Sequence, residues 1–312
     1  DRRSTSSGGN GVSLEMNYEP RPAVGATGTR TATASGNADR GATHSIALKG
    51  LITVTTPGAF NAYDTSTTPT TAIVGVIKTK ISAQAFTLDL AALNLTKTAL
   101  LTTFTGAVRV EVLDASNNSA TLDTNGCRSS WTTIQTLPVN PIFTAANAGR
   151  LTTSFIENNA YQEVRIRVSF PATGIATSIG CSTDNFAIRP ASFTGLTVRD
   201  ANWLTAGTTR NLNNTGATGG VVHRAGQPFR IDAVVQNAAG TGITYGTAAG
   251  NYDGLPQAQL TGCLLPTTGC TLGVLDELGA ATTWTTGTTT GSFFTTTASY
   301  DDAGSFTISL AD

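Results

Sequence analysis

With only 12% of its 312 residues charged, against about 25% in an ordinary globular protein, and a net charge of −1, the chain has no basic stripe for a nucleic-acid backbone. No apolar run approaches the ~20 residues of a membrane-spanning helix. Thr is the commonest residue and Met occurs once, a balance that suits pleated, half-buried strands better than helices, and the length allows two domains with cores of their own.

Residues 1–45 are polar and rich in Gly, Ser and Thr, and they read as an extended arm. Its one apolar island alternates Val12, Leu14, Met16 and Tyr18 with Ser13, Glu15 and Asn17, the period of a half-buried strand. Too isolated to fold alone, that strand is expected to pair with a sheet edge, of its own first domain or of a neighbouring copy. Asp1-Arg-Arg-Ser-Thr-Ser-Ser is not a signal peptide, so an exported protein of this sequence is expected to be a processed piece or fragment.

Residues 46–190 carry regular strand signals at Ile46–Thr55, Ala72–Ile81 and Phe86–Leu93. Ala107–Leu113 points Val108, Val110 and Val112 inward, with Arg109 and Glu111 outward. Glu163–Phe170 does the same with Val164, Ile166, Val168 and Phe170, leaving Arg165 and Arg167 outside. Strands with one apolar face each are satisfied by a two-sheet sandwich. Trp131, four residues after Cys127, is expected in the core beside a bridge.

Pro190 cannot donate to a sheet ladder and marks the end of this unit. Residues 191–312 show Phe193–Val198, a strand burying Phe229, Ile231 and Val235, and a closing strand alternating Phe306, Ile308 and Leu310. Short strands at turn-punctuated intervals predict an immunoglobulin-like sandwich. The fold class expected is therefore all-β, two tandem β-sandwich (immunoglobulin-like) domains with an extended N-terminal arm. The Thr-rich stretch 282–297 reads either as a strand pair or as an exposed hairpin.

Cys127 and Cys181 precede Pro190, and Cys263 and Cys270 follow it. An even pair per domain, without metal-ligand spacing, predicts bridges Cys127–Cys181 and Cys263–Cys270 in an oxidising compartment. Four buried thiols are the alternative. In the loop-closure model the first bridge stabilises by about 4 kcal/mol and the second by about 2.5.

Several stretches, in order, resemble the MshQ-like family encoded with type IV pilus systems of Gram-negative bacteria: Phe60-Asn-Ala-Tyr-Asp64, Val108–Ser116, Ala225-Gly-Gln-Pro-Phe229, Ser299–Phe306 and, most specifically, Asp184-Asn-Phe-Ala-Ile-Arg-Pro190. The resemblance spans about residues 60–312. It implies an exported, multidomain surface protein associated with pilus assembly or adhesion, longer on both sides than this chain, and it supplies no catalytic residues.

His44 and His223 lie far apart, with no nucleophile-elbow context, and read as surface or structural. Asp123-Thr-Asn125, Asp200-Ala-Asn202 and Tyr300-Asp-Asp302 offer oxygens of the kind calcium accepts, but Asx turns explain them and no metal is expected. Arg109, Arg165, Arg167 and Glu111 read as a solvated charge ladder, or as a patch for an acidic partner.

The sequence thus predicts a non-enzymatic structural or interaction module of a secreted or cell-surface protein, with no catalytic residue and no cofactor. Its expected partners are other subunits of a surface appendage, copies of itself among them, with no nucleic acid and no membrane span. The alternatives are a filament subunit joined by strand donation and a carbohydrate-binding adhesin. For a glycan, Trp203 and Trp284, in polar turn-rich contexts, are the candidate stacking platforms.

Overall fold

The computed structural model describes residues 56–200, 211–212, 223–243, 256–276 and 284–311, with the backbone of two short strands nearer the start. Residues 1–52 and 53–312 form separate compact units. In the first, β1 (Arg2–Ser4) pairs antiparallel with β2 (Ser13–Glu15), Arg3 opposite Leu14. The island strand thus finds a partner inside the arm, in a charged tripeptide whose lack of alternation hid it. Val12, Met16, Tyr18, His44, Trp203 and the strand expected at Ile46–Thr55 lie outside the described residues.

The chain is all-β: among the described residues the one helical element is a 3₁₀ turn at Ala145–Asn147. No helix among them is long and apolar enough to cross a membrane. The first sandwich is built from β3 (Ala59–Asp64), β4 (Lys80–Ile81), β5 (Phe86–Leu93), β6 (Gly106–Ala107), β7 (Arg109–Asp114), β8 (Thr132–Thr136), β9 (Ile142–Phe143), β10 (Arg150–Phe155), β11 (Tyr161–Phe170), β12 (Ser178–Cys181) and β13 (Phe186–Arg189). One sheet runs β10-β5-β3 and the other β4-β13-β11-β7-β8, with β12 sharing an edge of β11 with β13. Val110 lies opposite Val168 and Val112 opposite Ile166, so the valine faces read from the sequence meet in one inward layer. They pack on Phe60, Ala62, Leu88 and Leu90 of the other sheet.

The expected strand Ala72–Ile81 shrinks to Lys80–Ile81. Upstream of it two amides go to side chains instead of a ladder: Asp184 Oδ2 accepts the Ile77 amide and Asp64 Oδ2 the Lys78 amide, both within 2.8 Å. Val74 and Val76 consequently stand exposed.

Cys181–Pro190 is the hinge between two pairings. β12 pairs with residues 167–170 of β11, and β13 with residues 161–164. At the break Ser182, wholly buried, accepts the Ile166 amide on Oγ and donates to the Asp184 carbonyl, so the kink leaves neither group unpaired.

The second sandwich comprises β14 (Ser192–Asp200), β15 (Phe229–Gln236), β16 (Gln257–Leu265), β17 (Leu275–Asp276), β18 (Thr285–Thr286), β19 (Ser292–Tyr300) and β20 (Ser305–Ala311). One sheet runs β14-β15-β19-β17 with β18 beside β19; β16 and β20 form a ladder of their own. β15 buries Phe229, Ile231, Ala233 and Val235 in strict alternation. The Thr-rich stretch is a strand pair, with Thr286 opposite Phe293. Beyond Pro190 the first sandwich is gripped by the turn after β15: the Ala238 amide donates to Ser82 O and Asn237 Nδ2 to Asn158 O.

Candidate functional site

Residues on the outer face of the six-stranded sheet are Arg109, Glu111 and Leu113 on β7 and Arg165, Arg167 and Ser169 on β11, with Arg167 directly opposite Glu111. One end of this face is covered. Leu113, Ala115, Trp131 and the bonded pair Cys127–Cys181 form a small core of their own, and the Arg165 guanidinium lies 5.1 Å from the Trp131 ring centroid while donating to Ser182 O. The other end stays open as a cleft of about 910 Å³, bounded by the disulfide loop at Asp123 and Arg128 and by the 171–176 loop.

Glu111 sits on the cleft floor. The alternation of β7 points it outward, but it is 2% exposed, with Arg109, Arg167 and Thr133 closed around its carboxylate. Arg109 Nη2 donates to its Oε1 and Arg167 Nε to its Oε2, each at 2.7 Å, and Arg167 Nη2 donates to Thr133 Oγ1 at 3.1 Å. Burial pushes the carboxyl upward, and the hydrogen bond and charge of Arg167, the charge of Arg109 and the Thr133 hydroxyl outweigh it, so its pKa lies below the ordinary glutamate value. A carboxylate with a depressed folded-state pKa stabilises the fold above its unfolded value and loses that contribution as the pH falls through the folded one. Glu111→Gln is therefore expected to cost about 1–3 kcal/mol at pH 7, with the gap to wild type narrowing below about pH 4.3. Urea midpoints across pH 3 to 7 check this; a gap independent of pH would refute it.

The second sandwich repeats the arrangement. Asp232 on β15 is clamped by Arg199 Nη2 and Arg230 Nη2, each at 2.7 Å, and the Arg230 guanidinium lies 3.7 Å from the Phe294 ring centroid. Burial opposes ionisation here too, and the two arginines hold the carboxyl below its usual range. The hollow beside it is about 260 Å³. The Arg167–Glu111 pair is one of the cross-strand pairs that the charge ladder read from the sequence implies; the Asp232 clamp is not legible there, since the register of β14 on β15 is a tertiary fact.

Trp284, read from the sequence as a stacking platform, is 5% exposed and belongs to the second core. Its ring meets Phe293 edge-on at 4.9 Å and its Nε1 donates to Pro256 O, so both its apolar body and its polar tip are spent inside. Cys263 is bonded to Cys270, and no free cysteine is present among the described residues. Asp123 Oδ1 accepts the Asn125 and Cys127 amides, an Asx turn that presents Cys127 to its partner. Asp301 and Asp302 likewise accept the amides of Val274 and Ala303. His223 Nε2 lies 2.9 Å from Gln227 O. Among the described residues no group of three or more His, Cys, Asp or Glu side chains could hold a metal ion.

No protein-family model matches the chain, and no curated protein matches it. Among solved structures it is similar to FdeC, a broadly conserved Escherichia coli adhesin, at 12% identity and a TM-score of 0.30, covering 80% of this chain and 57% of that one. The match thus spans less than two thirds of that protein, and a likeness of this strength carries no argument about function.

Proposed function

We propose that the chain is a non-enzymatic interaction module of an exported bacterial surface protein, working at a pilus or comparable appendage. The observation that carries the reading is the pair of disulfides, Cys127–Cys181 and Cys263–Cys270, each closed within its own sandwich. Such bridges persist in oxidising compartments and are rare in the reducing cytosol. The resemblance of Asp184–Pro190 and its companion stretches to MshQ-like proteins supports the appendage as the setting. The grip of Asn237 and Ala238 on the first sandwich suits a spacer that must hold its neighbours at fixed separation. A second reading, a carbohydrate-binding adhesin, rests on the arginine cleft now that Trp284 is in the core.

Fractionation of the native host, with maleimide labelling before and after reduction, tests the main reading. Expected are cleavage by protease added to intact cells, co-sedimentation with sheared appendages, and thiols that label only after reduction. A cytoplasmic chain with four reactive thiols would sink it.

A further inference from the structure

The cleft over β7 and β11 sets three arginines, Arg109, Arg128 and Arg167, against two carboxylates, Glu111 and Asp123. Both carboxylates have partners within the fold. Glu111 is chelated by Arg109 and Arg167, and Asp123 Oδ1 holds two amides of its own loop. A guanidinium has five donors. Arg109 spends one on Glu111, its other N–H groups meet no protein acceptor among the described residues, and its side chain is 49% exposed. The cleft therefore presents positive charge that the fold does not consume.

The walls specify the rest of a ligand. Thr136, Asn140, Ser169 and Thr173 supply neutral donors and acceptors, and Pro171 and Ile179 supply small apolar faces. The floor is the face of a sheet whose amides and carbonyls are used in the β7–β11 and β11–β12 ladders. A peptide recognised through its backbone needs a free strand edge, which a sheet face does not offer. A ring dense in hydroxyls and bearing one carboxylate needs side chains alone, and the volume lies within the about 300–1,000 Å³ of ordinary small-ligand sites.

We propose that this cleft binds a carboxylate-bearing saccharide, a uronate unit of an acidic polysaccharide, with the carboxylate on Arg109 and the hydroxyls on the Thr, Ser and Asn walls. The proposal rests on the chain being an extracellular interaction module, but its test is made on the purified 312-residue chain and does not depend on where the protein resides. Titration of the ¹⁵N-labelled chain with trigalacturonate is expected to shift the amides of Arg109, Ser169 and Thr173. Maltotriose, its neutral counterpart, is expected to leave them in place. Arg109→Gln is expected to weaken binding about fivefold or more, whereas Arg199→Gln, in the other sandwich, leaves affinity unchanged. Should Arg109→Gln fail to fold, Arg109→Lys keeps the charge, loses the planar fork and is expected to weaken binding by a smaller factor. The proposal is overturned by an absence of shifts up to on the order of 10 mM, by shifts confined to the Arg199–Asp232 cluster, by equal binding of maltotriose, or by tighter binding of hexa-aspartate, which would make the ligand an acidic peptide.

Discussion

Replacing Cys127 and Cys181 together by alanine is expected to destabilise the first sandwich by about 4 kcal/mol, and replacing Cys263 and Cys270 to destabilise the second by about 2.5. The difference follows from the chain each bridge closes: the partners are 54 residues apart in one case and 7 in the other. A longer loop loses more unfolded-state freedom when it is closed. The first bridge also has a local role the second lacks, because it anchors the loop that roofs the outer sheet face, where Leu113 and Trp131 are buried against it. Part of that anchoring survives without the bridge, since the Cys181 amide donates to Asn125 O at 3.1 Å, so 4 kcal/mol is an upper figure. Urea unfolding followed by peptide-resolved hydrogen exchange separates the two domains. The first pair of substitutions is expected to lower protection in residues 109–114 and 161–170 and spare 229–236. Equal losses in both sandwiches, or a larger loss from the short loop, would overturn the assignment.

What the sequence discloses well is a strand whose two faces differ in polarity. Val108, Val110 and Val112, Val164, Ile166 and Val168, and Phe229, Ile231 and Val235 alternate cleanly, and each set is buried. Alternation fails where both faces are covered. β3 buries all six of its residues, including Asn61 and Asp64, and so reads as a mixed polar run. Beside the bond from the Ala62 amide to Asn61 Oδ1, its polar members depend on distant partners: Asn61 bonds Ile73 O and Thr183, and Asp64 is paired with Lys80. Those contacts belong to the tertiary structure, and no period in the sequence encodes them.

The candidate site shows the same limit from the other side. Periodicity places Arg109, Glu111 and Arg167 on one face correctly but cannot say that a disulfide loop would cover one end of that face, or that two arginines would close over the carboxylate at the other. The polar context that made Trp284 look exposed misled for the mirror reason. Its Thr neighbours, Thr285 and Thr286, are exposed and face water, while the indole turns inward onto Phe293. Composition around an aromatic reports its neighbours' exposure; its own depends on which side of the strand it leaves.

Gly180→Ala is expected to cost the first sandwich about 3 kcal/mol or more, although it adds a single methyl group. Gly180 lies in β12 opposite Val168, beside the bridge at Cys181. There β12 and β3, strands of the two facing sheets, come into backbone contact: a Cβ built at 180 falls on the carbonyl oxygen and amide nitrogen of Phe60. Backbone cannot swing aside as a flexible side chain does, and Phe60 is fixed on both sides, by its register with Ala92 and by its ring against Phe104 and Phe143. The methyl can be housed only by prising the sheets apart beside the Phe60, Phe104 and Phe143 ring cluster. Gly240→Ala is the control. That glycine has φ of +74° with nothing within 4 Å of an added Cβ, so it pays the left-handed conformational penalty alone, about 1 kcal/mol. Chemical denaturation of both variants, read domain by domain, should show Gly180→Ala lowering the first sandwich's midpoint well beyond what Gly240→Ala does to the second. Equal, small losses would mean that β3 and β12 do not meet backbone to backbone, and would refute this closure of the sandwich.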